Sequence, residues 1–201
     1  MCERERRSRL VDELVRVIGE RSVLPRRLEE IVQETAARFS AATCLIALSN
    51  SSTVSYAVRH GCALEGVPRQ SCCSLTVNLC ERDLPTIVCD AAKDPRFDDD
   101  RLVRQGARFY AGAPIVVNHD QNQCFLGCLC IIDPSPRSEF SLRDADPLVR
   151  ATAEISQILE QVIVDSLGSP NSVQAHSPAI RAKAPAAAWA LRVRSPRSEG
   201  T

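Results

Sequence analysis

Cysteine has the widest chemical range of the residues in this sequence, because a thiolate can act as a nucleophile, a metal ligand or a redox centre. The 201-residue chain contains 10 cysteines and 3 histidines. No two CxxC pairs occur, and no Cys/His set has zinc-site spacing, so no metal is predicted. Several cysteines, among them Cys44, Cys128 and Cys130, lie in apolar runs and are expected to pack as small hydrophobic side chains. A functional question remains for Cys72 and Cys73, although a disulfide between these neighbours would distort their peptide.

A second polar group surrounds the turn at residues 94–97, where Pro95 fixes the backbone and Asp94 can cap the turn. Arg96 can pair with Asp90 or with the acidic run at 98–100. Two interpretations are open: a loop closed by its own caps and ion pairs, which we favour, or a lid whose arginine binds an anion. Consecutive aspartates rarely converge on one cation, so a solvated acidic turn is expected.

The segment 108–114 places two aromatic residues beside a glycine and a proline. Phe109 and Tyr110 must point to opposite faces of a regular strand, so one of them can face a binding pocket. Gly112 leaves room for the close approach of a helix or a ligand, and Pro114 fits an edge or a bulge.

Periodic apolar residues predict the elements that position these groups. Helical spacing predicts a helix over 10–18 that stops at Gly19 and a second that starts after Pro25 and extends to Phe39. A third runs over 148–166, with Ser141 as a possible cap and a start at Asp146 ahead of the proline at 147. Strands are predicted at 43–48, 53–58, 86–89, 109–117 and 124–132, with hairpins joining the first two and the last two.

Charge and hydropathy exclude several classes of protein. The chain has 25 basic and 25 acidic residues, which argues against a nucleic-acid partner. Residues 168–201 carry five basic and one acidic side chains among Pro, Ala and Ser, which predicts a disordered basic tail. No apolar run approaches the roughly 20 residues of a membrane span, and no secretory segment follows the charged N-terminus. A cytoplasmic protein is therefore expected.

Five ordered motifs together resemble the GAF domain, and more narrowly the GAF domains that precede bacterial histidine kinases and diguanylate cyclases. The motifs are RQSCCS at 69–74, TIVCDA at 86–91, DPRF at 94–97, RFYAGAP at 108–114 and LGCLCIID at 126–133. The similarity spans about residues 22–165. Cys72 stands where the family commonly has phenylalanine, and Cys73 where it commonly has cysteine.

The resemblance implies an α+β fold, with a central antiparallel sheet of five to six strands and N- and C-terminal helices packed on it. The expected organisation is an N-terminal helix at 1–21, a GAF domain at 22–167 and the tail at 168–201. The family's ligand pocket lies between the sheet and the segments that correspond here to 73–78 and 90–108. The candidate pocket residues are Cys73, Asp90, Asp94, Arg96, Phe97, Phe109, Tyr110 and Gly112.

The resemblance also implies a function. The expected protein is a non-catalytic sensory or regulatory module in signal transduction, such as a two-component system. It would bind an unidentified small molecule or a partner and form a homodimer through its terminal helices. A histidine kinase or a cyclase is a candidate partner. No cofactor is expected, because the signatures of bilin-binding and cyclic-nucleotide-binding members are missing.

Two alternatives stay open. Some GAF proteins are enzymes that reduce free methionine-R-sulfoxide with pocket cysteines, and Cys73 falls near one of those positions. The segment 94–108 contains no cysteine, which argues against this enzyme. The other alternative is a protein interaction module that has lost ligand binding. Redox sensing through an exposed thiolate at Cys72 or Cys73 is a further possibility.

Overall fold

The computed structural model describes residues 3–20, 24–50, 53–61, 70–71, 85–119 and 122–167. All of them belong to one compact unit, Met1–Ser169. The predicted tail and the pair Cys72 and Cys73 lie outside the described residues, so the expectations for them stay predictions.

The described residues form four α-helices: α1 (Glu3–Glu20), α2 (Leu24–Phe39), α3 (Arg101–Arg104) and α4 (Asp146–Leu167). The prediction that the first helix stops at Gly19 was wrong, because helical backbone continues to Glu20. The Arg16 guanidinium donates to Glu20 over 2.7 Å, an i,i+4 ion pair that supports the last turn.

The predicted start of α4 is confirmed. Its first residue is Asp146, and a capping interaction lies just ahead of it. The Asp144 carboxylate accepts hydrogen bonds from the Ser141 backbone N–H at 2.7 Å and from its hydroxyl at 2.6 Å. These hydrogen bonds lower the pKa of Asp144.

Within the described ranges, six strands form one antiparallel sheet: β1 (Thr43–Ser49), β2 (Val54–Gly61), β3 (Gln70–Ser71), β4 (Thr86–Val88), β5 (Phe109–His119) and β6 (Asn122–Asp133). Their order is β3-β2-β1-β6-β5-β4. Both predicted hairpins, β1–β2 and β5–β6, are confirmed. The described pairing of β4 with β5 ends at Gly112, so Pro114 lies two residues beyond the described β4 ladder.

The sheet has a separate core on each side. On the side that we call the helix face, it packs against α1, α2 and α4. On the opposite side, which we call the loop-covered face, it packs against residues 90–108, the covering segment. Strand β1 alternates between the two, with Cys44, Ile46 and Leu48 on the helix face and Leu45 and Ala47 on the loop-covered face.

In the two strands that pair with β1, β2 and β6, a β-bulge interrupts the alternation of side chains between the two faces. In β2, Tyr56 lies on the loop-covered face and Val58 on the helix face, because the register shifts by one residue between them. In β6, Leu126 is the extra residue, since the pairs are Ile115 with Gly127 and Val116 with Phe125. The β6 bulge requires Gly127, because a Cβ there would contact the Ala47 carbonyl oxygen and lie 2.9 Å from its carbon.

Candidate functional site

The loop-covered face and the covering segment enclose one apolar cluster. The strands contribute the buried side chains of Leu45, Ala47, Val54, Tyr56, Val88, Tyr110, Cys128, Cys130 and Ile132. The covering segment contributes Ala91, Phe97, Leu102 and Ala107. The cluster therefore occupies the side of the sheet on which the sequence predicted a pocket.

An ion pair links the two ends of the covering segment. The Arg108 guanidinium donates to both carboxylate oxygens of Asp90, over 2.7 and 2.8 Å. Beside it, the Ala91 N–H donates to the Arg108 carbonyl at 2.5 Å, and the Arg108 N–H donates to the Asp133 carbonyl at 2.8 Å. The hydrogen bonds from Arg108 lower the pKa of Asp90 and raise that of the arginine. These contacts join the two ends of the covering segment to each other and to the last residue of β6.

The turn at 94–97 is closed by its own residues. Asp94 caps it by accepting from the Arg96 N–H at 3.1 Å, and its carboxylate also accepts from the Arg96 Nε at 2.9 Å. The predicted pairing of Arg96 with Asp90 or with the run at 98–100 was wrong, because Asp94 is the nearer carboxylate. The hydrogen bond from Arg96 lowers the pKa of Asp94. Phe97, 1% exposed, anchors the turn in the cluster.

The three consecutive aspartates do not converge. Asp100 is buried and accepts from the Leu102 N–H at 2.8 Å, which caps α3, whereas Asp98 and Asp99 are exposed. Among the described residues, no group of three His, Cys, Asp or Glu side chains is arranged to hold a metal ion. Nor does any described helix have the length and apolar character needed to cross a membrane.

Phe109 and Tyr110 face opposite sides of the sheet. Phe109 lies on the helix face, where its ring is 4.9 Å from that of Phe140 in an edge-to-face arrangement. The prediction that Phe109 lines the pocket was therefore wrong: it is a core residue between the sheet and the helices. Tyr110 lies on the loop-covered face and is 1% exposed.

The ring of Tyr110 fills the space that the glycine leaves. A Cβ on Gly112 would touch the Tyr110 hydroxyl and lie 2.9 Å from ring carbon Cζ. The sequence predicted that a helix or a ligand approaches Gly112 closely. In the structure the Tyr110 side chain of the same strand makes this approach. From there the Tyr110 hydroxyl reaches the Cys130 sulfur at 3.2 Å and the Cys128 sulfur at 3.6 Å.

The grouping of Tyr110 with Cys128 and Cys130 was missed from the sequence, where both cysteines were assigned to the core. Both are indeed buried, and their sulfurs lie 3.1 Å apart. The available signal was the Cys-x-Cys spacing, since residues two apart on a strand share one face. Cys73, the thiol selected from the sequence, lies outside the described residues.

Comparison with known sequences identifies the family. The sequence model of the GAF domain matches residues 24–162. A cyclic di-GMP phosphodiesterase of Pseudomonas aeruginosa is 48% identical over 60 residues, a match that covers 28% of this chain. The match spans 10% of that relative's length.

Solved structures give the same fold at low sequence identity. The GAF domain of an Acinetobacter phosphoenolpyruvate-protein phosphotransferase matches with a TM-score of 0.56 and 17% identity, covering 84% of this chain and 99% of that one. A far-red cyanobacteriochrome photoreceptor matches at 0.58 and 14%, covering 78% and 97%. Free methionine-R-sulfoxide reductase from Neisseria meningitidis matches at 0.53 and 14%, covering 80% and 90%. With the family model covering most of the described chain, the protein belongs to the GAF domain family, a family of regulatory and sensory modules.

Proposed function

We propose that this protein is a non-catalytic GAF regulatory module that binds a small molecule between the loop-covered face and the covering segment. The observation that carries the proposal is the bidentate ion pair between Asp90 and Arg108. It holds a segment of irregular backbone over one face of the sheet, while three helices cover the other face. A bound molecule that displaces the covering segment would thereby act on β5 and β6.

The side chains of the cluster define the ligand chemistry. They are apolar apart from the hydroxyls of Tyr56 and Tyr110 and the cysteine thiols. Two ion pairs of the covering segment, Asp90 with Arg108 and Asp94 with Arg96, leave these four charges already paired. A neutral, largely apolar ligand with one or two hydrogen-bonding groups fits this lining better than an anion does.

The relative from Pseudomonas aeruginosa supports a place for the module in cyclic di-GMP signalling, with a phosphodiesterase, a cyclase or a histidine kinase as the regulated partner. The protein would report ligand binding to that partner rather than transform the ligand itself.

A homodimer through the terminal helices is the second element of the proposal. α1 packs beside α4, and α4 exposes Val149 and Val164, with 41% and 58% of their surface accessible. The helix of a second copy would cover these two valines, which lie near opposite ends of α4.

The ligand proposal is tested by thermal-shift screening of neutral aromatic and aliphatic compounds, followed by calorimetry on the hits. Because a hydrogen bond is worth about 1 kcal/mol, Tyr110→Phe is expected to weaken a hit by about fivefold. Phe109→Leu is the matched control on the helix face and should leave affinity unchanged. Equal effects of both variants would contradict binding on the loop-covered face. A screen without any stabilising compound would favour the protein interaction module.

The dimer is tested by light scattering after size exclusion at tens of micromolar protein. Val164→Arg should shift the protein towards monomer, whereas Gln33→Arg introduces the same charge on the exposed side of α2 and should not. A wild-type monomer at that concentration would refute the dimer. Reduction of free methionine-R-sulfoxide that is lost in Cys73→Ser would refute the non-catalytic assignment.

A further inference from the structure

Two thiols on the loop-covered face are placed to react with each other. The sulfurs of Cys128 and Cys130 are 3.1 Å apart, with both side chains on the same face of β6. Two residues along a strand span about 6.6 Å between Cα atoms. Disulfides bridge Cα separations of about 4.4–6.8 Å, most often about 5.5–6 Å, and hold their sulfurs about 2.05 Å apart. The strand spacing lies at the upper end of this range, so we expect bond formation to contract the strand slightly.

A hydroxyl that can donate a hydrogen bond lies beside both sulfurs. The Tyr110 hydroxyl lies 3.2 Å from the Cys130 sulfur and 3.6 Å from the Cys128 sulfur. Most other side chains of the cluster are apolar, and this hydroxyl supplies a polar contact of the kind that water gives an exposed thiolate. Gly112 fixes its position, since any side chain there would collide with the ring.

We propose that Cys128 and Cys130 form a reversible dithiol–disulfide couple that a small hydroperoxide oxidises. The oxidant must be small because the two residues are 4% and 0% exposed. This redox input requires no bound ligand, so it stands independently of the small-molecule site proposed above.

Cys128 is the first thiol to react, since it retains some exposure. Its sulfur attacks the outer oxygen of the hydroperoxide, the O–O bond breaks, and the thiol proton goes to the leaving oxygen. The products are a sulfenic acid on Cys128 and one molecule of alcohol or water. The Cys130 sulfur then attacks the sulfenic sulfur, and the hydroxyl leaves as water with the Cys130 proton. The two thiols together lose two electrons and two protons, and an external dithiol reverses the reaction.

The position of the pair gives oxidation a structural consequence. β6 lies between β1 and β5, with Cys128 opposite Ala47 and Cys130 opposite Gly112. A disulfide holds its Cβ atoms about 3.8 Å apart, closer than two side chains of an extended strand. Contraction of β6 would therefore shift the part of the sheet against which Tyr110 and the covering segment pack.

Peptide mapping of the full chain tests the proposal. Reduced protein is exposed to hydrogen peroxide, unfolded in the presence of iodoacetamide so that the remaining buried thiols are blocked, and digested with chymotrypsin, which cleaves after Leu129. The expected product contains the Cys128 and Cys130 peptides still joined, about 2 Da lighter than the two free thiols, and dithiothreitol separates it. Recovery of both peptides separately alkylated would overturn the proposal, as would a disulfide from either cysteine to a different one.

Three variants separate the roles of the residues. Cys130→Ser should abolish the linked product and leave a sulfenic acid on Cys128 that dimedone traps. Cys44→Ser removes a buried thiol of the helix face and should leave the linked product unchanged. Tyr110→Phe should slow oxidation about tenfold, because a hydrogen bond to a charged group is lost. An unchanged rate would overturn the assignment of Tyr110 as the thiolate's donor.

Discussion

Replacing Gly112 with alanine tests how tightly Tyr110 is held on the loop-covered face. The added methyl group would touch the Tyr110 hydroxyl and lie 2.9 Å from Cζ and 3.0 Å from Cε1. The ring cannot swing into solvent without exposing a side chain that is 99% buried in the cluster. We therefore expect the ring to shift and its hydroxyl to leave the sulfurs of Cys128 and Cys130.

Three contributions determine the size of the effect. Overpacking of a core costs about 1–3 kcal/mol, and the lost hydrogen bond about 1 kcal/mol more. Alanine recovers roughly 0.5–1 kcal/mol, because glycine is the more flexible residue in the unfolded chain. The net loss is about 2 kcal/mol, which for a domain of this size lowers Tm by about 4–8 °C.

Urea unfolding and calorimetry of four proteins provide the measurement: wild type, Gly112→Ala, Tyr110→Phe and the double variant. Because the single changes disturb the same contacts, the double variant should lose less stability than their sum, by at least about 0.5 kcal/mol. Gly19→Ala makes the same substitution in α1, where a Cβ meets nothing within 4 Å, and should stabilise by about 0.5–1 kcal/mol. If Gly112→Ala unfolds with wild-type stability, or if the cycle is additive, the described placement of Tyr110 is refuted.

Three further predictions concern other parts of the domain. Gly127→Ala should lower the free energy of unfolding by about 3 kcal/mol or more, because its methyl group meets the immobile Ala47 backbone; a smaller loss in urea unfolding would contradict the β6 bulge. Asp90→Asn should destabilise the protein at pH 7, and the difference should shrink as the pH falls below about 4 towards the lowered pKa of Asp90, because the carboxylate that Arg108 stabilises becomes protonated; a difference in Tm that is as large at pH 2 as at pH 7 would contradict the ion pair. Burial raises the pKa of the Cys44 thiol to about 12, so iodoacetamide at pH 8 should label it only after unfolding, and labelling of the native protein would contradict its burial.

Local signals in the sequence were sufficient for the main elements. Pro147 predicted the start of α4 at Asp146, because the backbone restrictions of proline act on its immediate neighbours. The turn at Asp94 was predicted for the same reason. The interaction of Ser141 with Asp144 was also predicted, although it lies ahead of the helix and Ser141 is not the N-cap. The motif series also indicated the GAF fold, since it reflects the order of the strands.

Side-chain partners separated along the chain could not be predicted in the same way. Arg96 had several aspartates within reach in the sequence, and only the folded backbone shows that Asp94 is its partner and that Arg108 pairs with Asp90. The face on which Cys128 lies was equally hidden, because the bulge in β6 breaks the alternation that begins at Phe125. A glycine inside a strand was the one local indication of that bulge.

The two bulges also govern how residues of this chain correspond to those of its relatives. A GAF domain without the bulge in β6 has one residue fewer there, so an ungapped alignment would pair side chains that point into different cores. Placing a one-residue gap at Leu126, and another at Ala57 in β2, keeps each face matched with its counterpart. Substitutions found in a relative can be transferred to this protein only after that correction, and an error of one position would turn a change on the loop-covered face into a change under the helices.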